Sequence, residues 1–313
     1  MRIAIVGVGG VGGYFGAKLA HAGEDVIFMA RGEHLRAIRE TGLRLESADG
    51  DVTVHPARAS DDPAAVGSVD VALVAVKGWQ VPEAIAMLRL LVGAETLVVP
   101  LLNGVEAPDQ LATALGHEHV AGGLCGLFGS IVGPGHIRQI LPRPYITIGE
   151  LDDARTPRIE RLHAALARTG ARAAIAPDIR AALWEKLLMV GPLGAVGAVT
   201  RAPAGVLRSL PETSALLDGT MREVFQVARG LGVAVAEAAI TRARATVDGL
   251  PPPATASMQR DLMAGRPSEL ETQIGAVVRA ARQASVAAPL HGFFYAALLP
   301  QERHARGAVE FPA

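Results

Sequence analysis

Three lysines, Lys18, Lys77 and Lys186, stand among thirty basic residues in this 313-residue chain. Arginine keeps its charge at any working pH, whereas lysine can release a proton when its surroundings lower its pKa. Lys186 lies in the otherwise apolar stretch KLLMVGPLGAVGAV, so it is a candidate proton donor, with a snorkelling surface lysine as the bland alternative. On a helix, Lys186, Val190 and Gly194 recur at i+4 spacing and line one face. Further on, PSELE offers two acids with different jobs. Ser268 and Glu271 have capping-box spacing, which gives Glu271 a structural role and leaves Glu269 to face a cleft.

A second chemistry is written at the other end of the chain. Gly7, Val8, Gly9, Gly10, Val11 and Gly12 fit G-x-G-x-x-G, between a strand pattern and a helix pattern. In that context the glycines permit a tight turn and let backbone N–H groups approach a pyrophosphate at a helix N-terminus. Arg31 follows nineteen residues after Gly12, where an NAD site carries an acid. An arginine there could clamp a 2′-phosphate and favours NADP(H), although Glu33 argues the other way. Lys77 and Asn103 each end a strong apolar run, where α/β sheets bind ligands. Either could also be an ordinary loop residue.

The elements that must hold these residues follow from the hydropathy pattern. Residues 2–7, 25–30, 70–76 and 96–102 are continuous apolar runs, as expected of strands covered on both faces. Helical patterns at 12–22, 32–41, 79–91 and 105–115 lie between and after them, which predicts a parallel, doubly wound α/β sheet. Strands near 118–149, with a turn at GPG, predict an antiparallel extension. From residue 178 on the pattern is helical, at 178–198, 212–231, 235–248, 255–264, 269–286 and 290–300. The prolines of 249–257 require a loop. The boundary falls near Pro177, giving domains 1–176 and 177–313.

Composition excludes more than it selects. Net charge is −1 and half the residues are apolar, so nothing argues for nucleic acid or an anionic membrane as partner. Cys125 stands alone and rules out an internal disulfide framework. The glycines of the N-terminus argue against a signal peptide, and the long uncharged runs are too short or too broken to span a bilayer. A cytoplasmic protein is expected. The histidines at 117 and 119 lack the spacing of a helical zinc pair, and no metal site is expected. His291 and Cys125 read as packing residues. Apolar helix faces could form a homodimer interface or simply be core.

Seven stretches in order, GVGGVG, ARGEHL, VAVKGWQ, LLNGVE, the PG turn at 134–135, DIRAALWEKL and SMQRDLMAGRPSELE, resemble the ketopantoate reductases (2-dehydropantoate 2-reductases) over essentially the whole chain. The resemblance implies a Rossmann-type N-terminal domain, an all-α C-terminal domain, and NADPH-dependent reduction of a 2-oxo acid to a 2-hydroxy acid. The default reaction is 2-dehydropantoate to pantoate, in pantothenate biosynthesis. By position, Lys186 matches the family's general acid, Glu269 its partner carboxylate beside cofactor and substrate, and Ser257 a substrate-binding serine. Lys77 and Asn103 match cofactor and active-site positions, and Ile131 falls near a backbone contact to the cofactor. The chain departs where the family offers asparagines to the substrate: those positions are Val190, Gly194 and Ala204. Losing those amides weakens polar substrate contacts and is expected to leave room for a bulkier or less polar 2-oxo acid. The alternatives are a 3-hydroxy-acid dehydrogenase, or a non-catalytic NADP-binding sensor.

Overall fold

The computed structural model describes residues 1–311, with the side chains of all but 141–143. The chain forms two compact units. One comprises Met1–Leu102 and Ala107–Ile179; the other comprises Asn103–Glu106 and the chain from Arg180 on.

The first unit contains strands β1 (Arg2–Val6), β2 (Asp25–Met29), β3 (Leu43–Ser47), β4 (Val52–Val54) and β5 (Arg58–Ser60). These are followed by β6 (Val71–Val74), β7 (Leu97–Pro100), β8 (Ala121–Gly133), β9 (His136–Glu150) and β10 (Arg172–Ile175). Its helices are α1 (Gly10–His21), α2 (Gly32–Thr41), α3 (Pro63–Val66), α4 (Val81–Leu91), α5 (Ala107–Leu115) and α6 (Pro157–Ala167). Strands β5, β2, β1, β6 and β7 lie side by side in that order, every pair parallel. The chain winds outward from β1 through β2 and β5, then returns to place β6 on the other side of β1. That reversal opens a crevice at the carboxyl ends of β1 and β6.

Beyond Arg2, the first strand shows why the run had to be apolar. Ile3 and Ile5 pack with Phe15 and Phe28 on one face, while Ala4 and Val6 pack with Met29 and Val74 on the other. A strand covered on both faces has no position to spare for a polar side chain.

The antiparallel strands expected near 118–149, with their turn at Pro134–Gly135, are β8 and β9, and they belong to a second sheet that is mixed. Strand β9 pairs antiparallel with β8 along most of its length, and on its other edge it pairs parallel with β3 and with β10. Strand β4 then pairs antiparallel with β3. The short strands β3, β4, β5 and β10 and the helices α3, α6 and α8 have no counterpart among the expected elements. Half-exposed three- to five-residue strands carry too little periodicity to be read.

The second unit is helical among its described residues: α7 (Ile179–Thr200, whose first residue belongs to the first unit), α8 (Ala204–Ser209), α9 (Pro211–Gly230) and α10 (Ala238–Asp248). Then come α11 (Ser257–Met263), α12 (Ala276–Ala284) and α13 (Pro289–Ala305). The helix expected over 269–286 is a continuous helical run from Leu270 to Ala284, in which a π-helical turn occupies Glu271–Gly275 and leads into α12. Such turns insert an extra residue and often mark functional sites. Helix α7 is long and apolar enough to cross a membrane, yet 67% of its most apolar window is buried within the protein. Leu187, Leu188 and Val196 join Met221, Val224 and Ile274 in one core, so α7 is the central helix of this unit.

Candidate active site

The glycine loop follows β1 directly and ends in α1, and its three motif glycines are required for three different reasons. Gly7 has φ +96°, a conformation that side chains resist. At Gly12 a Cβ would stand 2.0 Å from the Gly7 carbonyl oxygen and 2.9 Å from Ile5 Cγ2, so the glycine lets helix and strand pack closely. At Gly9 an added Cβ would meet no protein atom within 4 Å. The protein's own packing does not demand glycine there, whereas a backbone approached by a pyrophosphate does. Gly9 is also the N-cap of α1, and no side chain caps that terminus. The first-turn N–H groups thus form an anion-accepting end. The residues fit a dinucleotide.

Of the other expected nucleotide contacts, Ile131, Lys77 and Arg31 belong to the same unit, whereas Asn103 and Glu269 belong to the second. Gly10 packs on strand β8, where its Cβ would stand 2.2 Å from the Gly129 carbonyl oxygen. Ile131, two residues further along β8, is half exposed. Lys77 precedes the short turn Gly78–Gln80; its N–H donates to Gln80 Oε1 at 3.0 Å, and its ammonium sits 6.0 Å from the Trp79 ring centre. Arg31 precedes α2, is exposed, and pairs with Glu83 of α4. An exposed pair of this kind is weak, so it holds the guanidinium without committing it.

In the second unit, three expected residues meet. Lys186 Nζ donates to Asn103 Oδ1 at 2.8 Å, and Asn103 Nδ2 donates to Glu269 Oε2 at 3.1 Å. An ammonium can only donate and a carboxylate only accept, so the two partners fix which way the amide points. Glu269 is buried, while Lys186 and Asn103 are half-buried. The arrangement holds a cation and an anion at either end of one amide, within reach of each other's field.

The segment before Glu269 differs from expectation. Ser268 Oγ accepts from the Leu270 N–H at 3.2 Å, but Glu271 does not reach back to close a capping box. Glu302 of α13 takes that place: the Ser268 N–H donates to its oxygens at 3.0 and 3.2 Å, and Ser268 Oγ donates to it at 2.5 Å. Arg306 Nε holds the same carboxylate at 2.6 Å. Glu271 is turned instead toward Arg279 and the Tyr295 hydroxyl, at 3.1 and 2.7 Å. Burial first, and the hydrogen bond to Glu271 second, push the Tyr295 phenol above its ordinary range. Sequence reading did not single out Glu302, Arg306 or Arg279, because nothing in their polar helical settings marks long-range partners.

The substrate-side positions are only partly as expected. Val190 lies half-buried on the Lys186 face of α7. Ser257 opens α11, between two residues that approach Gly194. The room expected at Gly194 is not there: Met258 Cε stands 2.7 Å from where a Cβ would be. A buried methionine fills the volume. Ala204 is fully buried, its N–H donating to the Ala254 carbonyl at 2.9 Å. His291 is buried against Glu223 and Cys125 is buried in β8. Among the described residues no group of His, Cys, Asp and Glu could hold a metal.

Residues 3–153 match the family model described as Ketopantoate reductase PanE/ApbA, and residues 178–302 match Ketopantoate reductase PanE/ApbA C terminal. The chain belongs to the ketopantoate reductase family. It is an oxidoreductase of the kind that acts on CH–OH groups. The 2-dehydropantoate 2-reductase of Nostoc sp. (strain PCC 7120) is 30% identical over 293 residues, covering 92% of this chain and 91% of that protein. A PanE/ApbA family ketopantoate reductase from Ralstonia eutropha JMP134 matches in structure with a TM-score of 0.89 at 32% identity, over 98% of this chain and 100% of that one. D-mandelate dehydrogenase, solved with NADH and anilino(oxo)acetate, shares the fold at a TM-score of 0.88 and 21% identity, over 98% of this chain and 100% of that one.

Proposed function

We propose that this member of the ketopantoate reductase family reduces a 2-oxo acid to a 2-hydroxy acid with NADPH, the default reaction being 2-dehydropantoate to pantoate. The observation that carries the reading is the hydrogen-bonded series Lys186–Asn103–Glu269. Gly7, Gly9 and Gly12 would hold the pyrophosphate, Arg31 the 2′-phosphate, and Lys77 and the backbone near Ile131 the rest of the nucleotide. Bound there, the nicotinamide supplies hydride to the carbonyl carbon.

The chain's own residues handle the charge that results. Reduction of a ketone generates an alkoxide, and the Lys186 ammonium stabilises that oxygen as its charge develops, then gives it a proton. Asn103 holds the ammonium in one direction by accepting one of its three N–H donors. Glu269 accepts from the other end of the same amide and so fixes the direction in which Asn103 presents its oxygen to Lys186. A sensor protein would have no use for a buried carboxylate joined through one amide to a lysine in this way.

Substrate choice follows from Val190, Ser257 and the plugged Gly194. With an apolar side chain and Met258 where amides would serve a hydroxylated substrate, polar substrate groups lose partners on desolvation. The pocket therefore favours a less polar 2-oxo acid, and the filled volume argues against a much bulkier one. The test is NADPH oxidation by the purified protein with 2-dehydropantoate, a branched aliphatic 2-oxo acid and an aryl 2-oxo acid, repeated with NADH. Lys186→Ala should lower turnover by about 10²- to 10⁴-fold while nucleotide binding persists. Tight NADPH binding with no turnover on any 2-oxo acid would overturn the reading.

A further inference from the structure

We infer that Arg279 is a positioning residue for the proton-donating centre, clamping the segment that carries Asn103 to the segment that carries Glu269. The inference rests on the reading of Lys186, Asn103 and Glu269 just given. Glu106 lies three residues after Asn103, and Glu271 lies two residues after Glu269. One guanidinium holds both. Arg279 Nε and Nη2 donate to the two Glu106 oxygens at 2.9 and 2.8 Å, a bidentate pair. The same Nη2 donates to the Glu271 carbonyl at 2.7 Å, and Nη1 donates to the Glu271 carboxylate at 3.1 Å.

The two segments also touch where no side chain fits. Gly104 has φ +102°, and a Cβ there would stand 2.3 Å from the Thr272 carbonyl oxygen. The π-helical turn at Glu271–Gly275 is thus the surface on which the Asn103 segment rests. Between that contact and the guanidinium, the backbones on either side of the Asn103–Glu269 hydrogen bond are held at a set spacing. An amide that must meet an ammonium and a carboxylate together tolerates little displacement, because hydrogen bonds weaken steeply with distance and angle.

Arg279 is itself partly exposed, and exposed ion pairs contribute little to global stability. Its loss should therefore be felt in turnover more than in folding. Arg279→Ala is expected to lower kcat roughly ten- to hundredfold, the scale of small misplacements at a reacting centre, with the NADPH KM near that of the parent. Arg279→Lys should recover little, since an ammonium cannot span two carboxylates and a carbonyl.

The decisive measurement is a double-mutant cycle with Asn103→Ala. If Arg279 acts through Asn103, its removal costs nothing further in the Asn103→Ala background. An equal fractional loss of kcat in both backgrounds, or an unchanged kcat in Arg279→Ala, overturns the inference. Amide hydrogen exchange over 103–106 supplies a readout that needs no turnover: it should quicken in Arg279→Ala, and unchanged exchange overturns the clamp. If the parent reduces no 2-oxo acid, the proposed reaction fails and the exchange measurement alone decides the clamp. Should Arg279→Ala not fold, Glu106→Gln removes the bidentate partner's charge at nearly constant volume and takes the same tests.

Discussion

The residues that would receive the pyrophosphate are six neighbours, Gly7 to Gly12, whereas those that would move the proton are gathered from afar. Lys186 meets Asn103 across 83 positions, and Asn103 meets Glu269 across 166. The two sites are built by different means. The glycine loop is a local backbone solution, set by one strand, one turn and the first turn of one helix. The lysine centre exists only because α7, the segment after β7 and the turn before α12 pack together. The first therefore shows as a motif, and the second shows only as residue types that look out of place.

The local site is tested most severely by two substitutions that look alike in sequence. Gly12→Ala drives a methyl into the Gly7 carbonyl and Ile5, and should cost about 3 kcal/mol or more by overpacking. Gly9→Ala meets open space, so its stability should stay within about 0.5 kcal/mol of the parent while NADPH affinity falls. Chemical denaturation and nucleotide titration separate the two. A Gly9→Ala protein that unfolds early, or binds NADPH as before, would remove the case for a ligand at that glycine.

The assembled site depends on helices being held in place, and Glu223 is one such anchor. Its carboxylate accepts from the N–H groups of Leu290 and His291 at 2.8 and 2.9 Å and from His291 Nδ1 at 2.7 Å. It thereby caps α13, the helix that sends Tyr295 and Glu302 toward the segment around Glu269. Burial raises the Glu223 pKa, but the hydrogen bonds from His291 and the two N–H groups outweigh it, and the net direction is down. A depressed carboxylate pKa adds stability above its unfolded value, and that stability is lost as the pH falls through the folded value. Glu223→Gln should thus cost about 1–3 kcal/mol near pH 7. The gap to the parent should close as the pH drops below the ordinary glutamate range. A gap that stays constant down to acid pH would show that packing, not charge, anchors the helix.

The same contrast explains what could be read in advance. Residues 3–6, 26–29, 71–74 and 97–100 were legible because strand positions buried on both faces must be apolar throughout. Lys186 was legible as a rare lysine on an apolar helix. Glu302 was not, because QERHAR reads as a solvated helix end and its partner, Ser268, lies 34 positions away. The capping box at Ser268 failed for the same reason: a distant carboxylate reached the N–H that Glu271 was expected to take. Nor could Gly194 be judged from sequence, since only the packed structure shows Met258 in the space it leaves.

The smallest expected effect concerns the one place where the local site borrows from a distant element. Arg31 ends the turn after β2, but its guanidinium pairs with Glu83, 52 positions on, and both side chains are more than half exposed. If Arg31 receives the 2′-phosphate of NADPH, Glu83 competes for it. Removing an exposed competitor releases no more than about 1 kcal/mol, roughly fivefold in affinity. Glu83→Ala should therefore tighten NADPH by a few-fold at low ionic strength and leave NADH unchanged. The gain should fade as salt screens both interactions. Arg31→Ala should do the reverse, weakening NADPH selectively, and should make Glu83→Ala silent. Two variants that leave the NADPH-to-NADH ratio where it was would show that the adenosine end is read elsewhere. The nucleotide preference would then, like the lysine centre, be a product of packing rather than of the loop itself.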